Sequence, residues 1–282
     1  MIKEIHCFGT SHTHGGGFEF FNKERASKLK KVYTEKPFTQ FNYSWPGQLQ
    51  KLIGNGVKIF NHAKSGYGNE RMYRIAYDLI TKDIQSLSEK LFIFEFSFLG
   101  RKEFYSNTLK DHFIVNYEIL ENGANINGIS QTYFENHIQT YELLKNKVVP
   151  FIKETMQGEN QIKTLRMNNR FFIDFLLQNN VNFLLATPPY GFNHQNDSEG
   201  EKYQLEDKYI TYLNGETTLY GYYHKNGWTI SNETNGFIDD NHAGLHGNIE
   251  TAKRVLETID KKYQYEYIEY TPIDESENKK II

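Results

Sequence analysis

The 282-residue sequence predicts an α/β fold, a three-layer α/β/α sandwich around a mainly parallel central sheet. Short apolar runs at 3–8, 57–61, 90–96 and 181–187 are separated by longer stretches of helical character, the pattern of strands alternating with helices. Two of the runs, "KLFIFEF" (Lys90–Phe96) and "VNFLLATPPYG" (Val181–Gly191), are almost continuously apolar, as strands covered on both faces are. The first run stops at Gly9 and the last at a Pro-Pro turn, so each is short enough to be a strand.

The elements follow in order. "IKEIHCFG" (Ile2–Gly9) reads as the first strand. Residues 17–44 are mixed, with a helix expected around Arg25–Tyr33. The basic stretch Lys23–Lys31 reads as a solvated helix face, with an anion or partner contact as the alternative. "SWPGQLQKLIG" (Ser44–Gly54) carries helix signals at both ends. Ser44 can cap, Pro46 suits a first turn, Leu49, Leu52 and Ile53 supply the apolar face, and Gly54 or Gly56 ends it. "VKIFNHA" is the second strand and "GNERMYRIAYDLITKDI" the helix after it. Residues 101–170 read as more helical material, notably "ENHIQTYELLKNKVVPFIKETM" broken near Pro150. "NNRFFIDFLLQNN" is expected to be the helix before the late strand, and "NIETAKRVLETIDKKY" the closing helix. One domain over 1–282 is expected, with insertions near 17–44, 101–155 and 191–236. The last contains "YLNGETTLYGYY", read as a hairpin around Asn214–Glu216.

Composition narrows the setting. Aromatic residues at 15% are too many for a disordered chain, and a net charge of −3 gives no electrostatic reason for a nucleic-acid partner. No signal peptide and no apolar run long enough for a membrane span are read from the sequence. The lone Cys7 cannot form an internal disulfide, so a reduced, buried thiol and a cytoplasmic location are expected. Nothing in the pattern specifies an oligomeric partner.

The chemistry concentrates in two places. "FGTSHTHGGG" (Phe8–Gly17) puts Ser11 at the tip of the first strand. A serine nucleophile needs a base, and the base needs a group to hold its tautomer. "FIDDNHAGLHGNIETAKRV" (Phe237–Val255) supplies Asp239 and His242, three apart before the last helix, with the adjacent Asp240 able to exchange roles with Asp239. Ser11 as a helix cap, His242 as a loop histidine and Gly66 as a turn residue are the quieter readings. His12, His14, His242 and His246, with Asp239 and Asp240, also permit a metal-dependent hydrolase. Their spacing lacks a zinc motif, and the glycines lack nucleotide-site spacing, so neither metal nor cofactor is expected.

These blocks together resemble the SGNH, or GDSL-like, hydrolase superfamily of serine esterases, deacetylases and related acyltransferases. The first block is "FGTSHTHGG", with Gly9 and Ser11 but Thr10 where aspartate is usual. The second is "IFNHAKSGYGNERM", with Gly66 as the oxyanion glycine and Gly68 second. The last is "DDNHAGLHGN", with Asp239, His242 and Gly247. The third block departs: "FIFEFSFLGRKEF" lacks the usual Gly-x-Asn-Asp, leaving Ser97 or Arg101 to replace the asparagine donor. The resemblance implies a flavodoxin-like sheet and a serine esterase in which His242 serves Ser11 and Asp239 holds His242. His12, His14, Arg101 and Ser97 are the expected substrate contacts. The polar, aromatic late insertion suits a carbohydrate or other small polar ester. An O-acyltransferase using the same residues, and a catalytically weak carbohydrate-binding module, are the alternatives.

Overall fold

The computed structural model describes residues 1–18, 23–34, 38–97, 101–106, 111–116, 159–189, 205–210, 212, 216 and 218–265. In chain order its strands are β1 (Glu4–Phe8), β2 (Lys58–Asn61), β3 (Lys90–Glu95), β4 (Arg101–Ser106), β5 (Asp111–Asn116) and β6 (Phe183–Thr187). Its helices are α1 (Ser11–His14), α2 (Lys23–Val32), α3 (Gln40–Tyr43), α4 (Trp45–Ile53), α5 (Asn69–Lys82), α6 (Glu159–Gln178), α7 (Leu219–Lys225), α8 (Ile230–Glu233) and α9 (Leu245–Lys262).

The central sheet runs β2-β1-β3-β6, all parallel. Cys7 lies opposite Asn61 on one side and Ile93 on the other, so the carboxyl ends of β1, β2 and β3 are level. The chain leaves β1 toward β2, then crosses to β3 on the other side. The crevice between β1 and β3 is therefore a topological switch point, where open α/β sheets place ligands.

Alternation along the strands sorts the core into two layers. Ile5, Cys7, Ile59, Leu91, Ile93 and Leu184 face Leu49 and Ile53 of α4 and Ala252, Val255 and Ile259 of α9. Phe8, Phe92, Phe94, Phe183 and Leu185 face Met72, Ala76 and Ile80 of α5 and Phe172, Ile173 and Leu176 of α6. The result is an α/β fold with helices on both faces.

Helix α4 begins as its sequence dictates, with the Ser44 hydroxyl accepting from Gly47 N and Pro46 in the first turn. Gly54 ends it at a φ of 79°, a conformation that glycine tolerates. Gln50, buried on this helix, then accepts from Ile59 N at 2.9 Å and donates to Val57 O at 2.9 Å, fixing the start of β2.

Two expectations are corrected. Residues 101–106 and 111–116 form an antiparallel hairpin rather than helix, consistent with the aromatic and β-branched residues in "RKEFYS" and "DHFIVN". The expected helix at 135–156 lies outside the described residues. Leu219–Lys225 is a helix rather than a hairpin arm: Thr218 caps Gly221 N at 3.0 Å, and burial of Tyr222 and Tyr223 decides against their strand propensity. Among the described residues, no helix is long and apolar enough to cross a membrane.

Candidate active site

The serine turn is built from below. β1 ends at Phe8, Gly9 passes the chain over β3, and Thr10 precedes α1. The Glu95 carboxylate, at the end of β3, accepts from Thr10 N and Thr13 N at 3.0 Å each and from the Thr10 hydroxyl at 2.6 Å. Trp45 Nε1 donates to Thr13 Oγ1 at 3.2 Å, and Asn61 Nδ2 to Thr13 O at 2.9 Å. One side of α1 is thus locked onto three elements of the fold. A Cβ at Gly9 would lie 2.7 Å from Glu95 Cβ, so only glycine lets the carboxylate come so close.

Glu95 suits a threonine at position 10. Aspartate there would set a second carboxylate against a buried one, whereas threonine supplies a donor. Burial pushes the Glu95 pKa up, opposed by the hydrogen bonds from Thr10 and Thr13. Because the Thr10 hydroxyl is committed to Glu95, it does not cap α1. The amides of Ser11 and His12 are first-turn N–H groups without an intrahelical acceptor.

His242 comes to Ser11 from the loop before α9. Its Nδ1 pairs with Asp240 Oδ1 at 2.7 Å, and its backbone N–H donates to the same oxygen at 2.8 Å. The other Asp240 oxygen accepts from Arg25, which also donates to Gly17 O at 2.7 Å. Burial alone would raise the Asp240 pKa; the His242 hydrogen bonds and charge, with the Arg25 charge, bring it down to about 2. With Nδ1 engaged, Nε2 is the nitrogen left for chemistry. A Cβ at Gly16 would lie 2.8 Å from both His242 Nε2 and Ser11 Cβ, so serine and imidazole flank one point above this glycine. No hydrogen bond joins the two side chains, a contact that catalytic pairs commonly tighten only around substrate.

The carboxylate that holds His242 is therefore Asp240, not Asp239. Asp239 is exposed. The physical reason is local: Asp240 is wedged between Arg25 and the imidazole, where the guanidinium charge and the hydrogen bonds from the His242 ring and amide compensate its burial.

The remaining candidates divide. His12 joins the His242 side: its ring centroid is 5.4 Å from that of His242, and its Nδ1 meets the Tyr223 hydroxyl. His14 turns to the opposite flank, with Nδ1 3.1 Å from Ser65 Oγ and 2.8 Å from Gln40 Nε2. Gly66, next to Ser65, has a φ of 82° and open space where a Cβ would stand. Ser97 N donates to Asn69 Oδ1 at 2.6 Å, and the buried Ser97 hydroxyl has no hydrogen-bond partner among the described residues. The structure ties Ser97 to α5 rather than to α1. Arg101 opens β4, and its side chain lies outside the described residues. His246 packs edge-on to Trp228 at 5.0 Å instead of joining His242. Among the described residues, no three His, Cys, Asp or Glu side chains gather as metal ligands.

Glu95, Arg25, Asn61 and Tyr223 were not singled out as site residues from the sequence. Glu95 did carry a signal, as the acid interrupting "FIFEF"; Arg25 was hidden in a basic helix. Comparison with protein-family models, curated proteins and solved structures found no match.

Proposed function

We propose that this protein is a serine-dependent ester hydrolase of the SGNH type, releasing a short acyl group from a carbohydrate or other small polar substrate. The observation that carries the reading is the meeting of His242 Nε2 and Ser11 above Gly16, with His242 Nδ1 held by Asp240.

Ser11 Oγ attacks the ester carbonyl while His242 Nε2 takes its proton, and Asp240 balances the imidazolium. The amide N–H of Ser11, with Gly66 beside the turn, faces the developing oxyanion; loss of one such donor typically costs ~3 kcal/mol. Collapse breaks the bond to the alcohol oxygen, which takes the proton from His242. Water then attacks the acyl-serine, again giving its proton to His242, and the acid leaves as Ser11 is restored. Thr10 replaces the usual aspartate and Glu95 takes over the anchoring of the turn. A cytoplasmic setting belongs to the same proposal, supported by the lone Cys7 thiol buried in β1.

Turnover of 4-nitrophenyl acetate or a sugar acetate tests the reading. Ser11→Ala and His242→Ala each remove most of the activity, and the double variant is scarcely worse than either, because such residues act as a unit. A folded Ser11→Ala protein with full turnover on a substrate of the native enzyme overturns the proposal.

A further inference from the structure

A cavity of about 230 Å³ opens beside α1, and His14 forms part of its wall. His12, two residues earlier, faces His242 and Tyr223 instead, so α1 turns His14 toward the cavity and His12 toward the base. Phe41, Phe60 and Ile75 give it an apolar lining, while Lys64 and Arg71 add two cations. None of its lining residues is Asp or Glu.

Both cations contact the Tyr67 ring. Lys64 Nζ stands 4.7 Å from the Tyr67 centroid and the Arg71 guanidinium 5.2 Å from it. Arg71 NH1 also donates to His62 O at 2.7 Å, which fixes the guanidinium at the cavity. A bound carboxylate can take charge-assisted hydrogen bonds from both side chains at a wall that carries no acid of its own.

We propose that this cavity receives the acyl part of the substrate and that the acyl chain is short and ends in a carboxylate. The inference rests on the serine-hydrolase reading: His242 protonates the departing alcohol, so the alcohol leaves on the His242 side and the acyl chain points to the other flank. The methylenes lie along Phe41, Phe60 and Ile75, and the terminal carboxylate meets Lys64 and Arg71. Ser11 Oγ bonds to the ester carbonyl of such a half-ester and the alcohol departs with the proton from His242. Water then releases the free dicarboxylate and returns the proton to Ser11.

Three substrates followed by proton release separate the possibilities: monoethyl succinate, ethyl butyrate, and acetoxyacetate, whose anion is on the alcohol side. Binding of free succinate, measured by calorimetry, adds a readout independent of turnover. Monoethyl succinate is expected to exceed ethyl butyrate in kcat/KM by about tenfold, the size of one charge-assisted contact. Lys64→Ala and Arg71→Gln remove that advantage and weaken succinate binding. The Lys64 side chain is exposed, so its variant keeps the test intact if Arg71→Gln does not fold. Equal rates for succinate and butyrate esters, preference for acetoxyacetate, or turnover without succinate binding each overturn the proposal. Succinate binding that is lost in Lys64→Ala, without turnover of any ester, supports the carboxylate pocket and overturns the hydrolase reading instead.

Discussion

Glu95 beneath the serine turn and Asp240 beside it are both carboxylates withdrawn from most solvent, yet their surroundings drive them in opposite directions. Glu95 meets two backbone amides and a hydroxyl, and burial pushes its pKa up. Asp240 meets an arginine and an imidazole, and its pKa falls to about 2 despite burial. The floor thus uses a carboxylate as a backbone clamp, for which hydrogen-bond acceptance matters and charge does not. The wall uses one as a fixed negative charge, for which charge is the point. Environment assigns different roles to the same functional group within one site.

Removing the charge while keeping the shape separates these roles most strongly. Asp240→Asn is expected to lower kcat on 4-nitrophenyl acetate by up to about 10⁴-fold, because an amide at Nδ1 favours the wrong tautomer. Glu95→Gln is expected to leave stability and turnover close to native. Its carbonyl can accept both threonine amides, and the Thr10 hydroxyl can turn to accept from its amide group. Asp239→Asn, at an exposed side chain outside the pair, is expected to change kcat little. Equal losses for Asp239→Asn and Asp240→Asn would break the comparison.

Removing the acceptor altogether inverts the order for stability. Glu95→Ala strands three buried donors and leaves a void, an expected loss of roughly 3 kcal/mol or more in urea unfolding. Gly16→Ala comes next. The added methyl would press on both His242 and Ser11, and displacements of about 1 Å at reacting groups cost on the order of 10²-fold in turnover. A fold unchanged by circular dichroism with kcat reduced is the expected pattern.

The smallest effect is in pH dependence, and its sign differs between the two acids. The depressed Asp240 pKa contributes stability that is present above the ordinary aspartate value of 3.8 and is lost as pH falls toward about 2. The raised Glu95 pKa acts oppositely: stability declines as pH rises from the ordinary glutamate value of 4.5 through the folded value. Unfolding free energies between pH 2 and 6 should therefore lose the acid-side dependence in Asp240→Asn and the opposing one in Glu95→Gln. Arg25→Met should move the Asp240 dependence to higher pH.

Much of this arrangement was legible in the sequence. The four apolar runs became β1, β2, β3 and β6 because strands covered on both faces leave continuous apolar text. Ser44, Pro46 and Gly54 bounded α4 through local chemistry alone. Ser11 and His242 were visible because strand-tip and pre-helix positions constrain what a polar residue does there. Asp240 was not separable from Asp239, since adjacent acids differ only in what the fold brings to them, here Arg25 from α2. The roles of Glu95 and Arg25 depend on contacts across 85 and 215 residues of chain, which no local pattern encodes. The tyrosine run in α7 misled because β-propensity reports packing surroundings more than backbone preference.

Treatment of the native protein with a fluorophosphonate, followed by peptide mass spectrometry, tests the proposed activation of Ser11 by His242. One phosphonyl adduct on Ser11 is expected, formed much more slowly in His242→Ala and absent in Ser11→Ala. A native protein that reacts elsewhere, or reacts at Ser11 equally fast without His242, would contradict it.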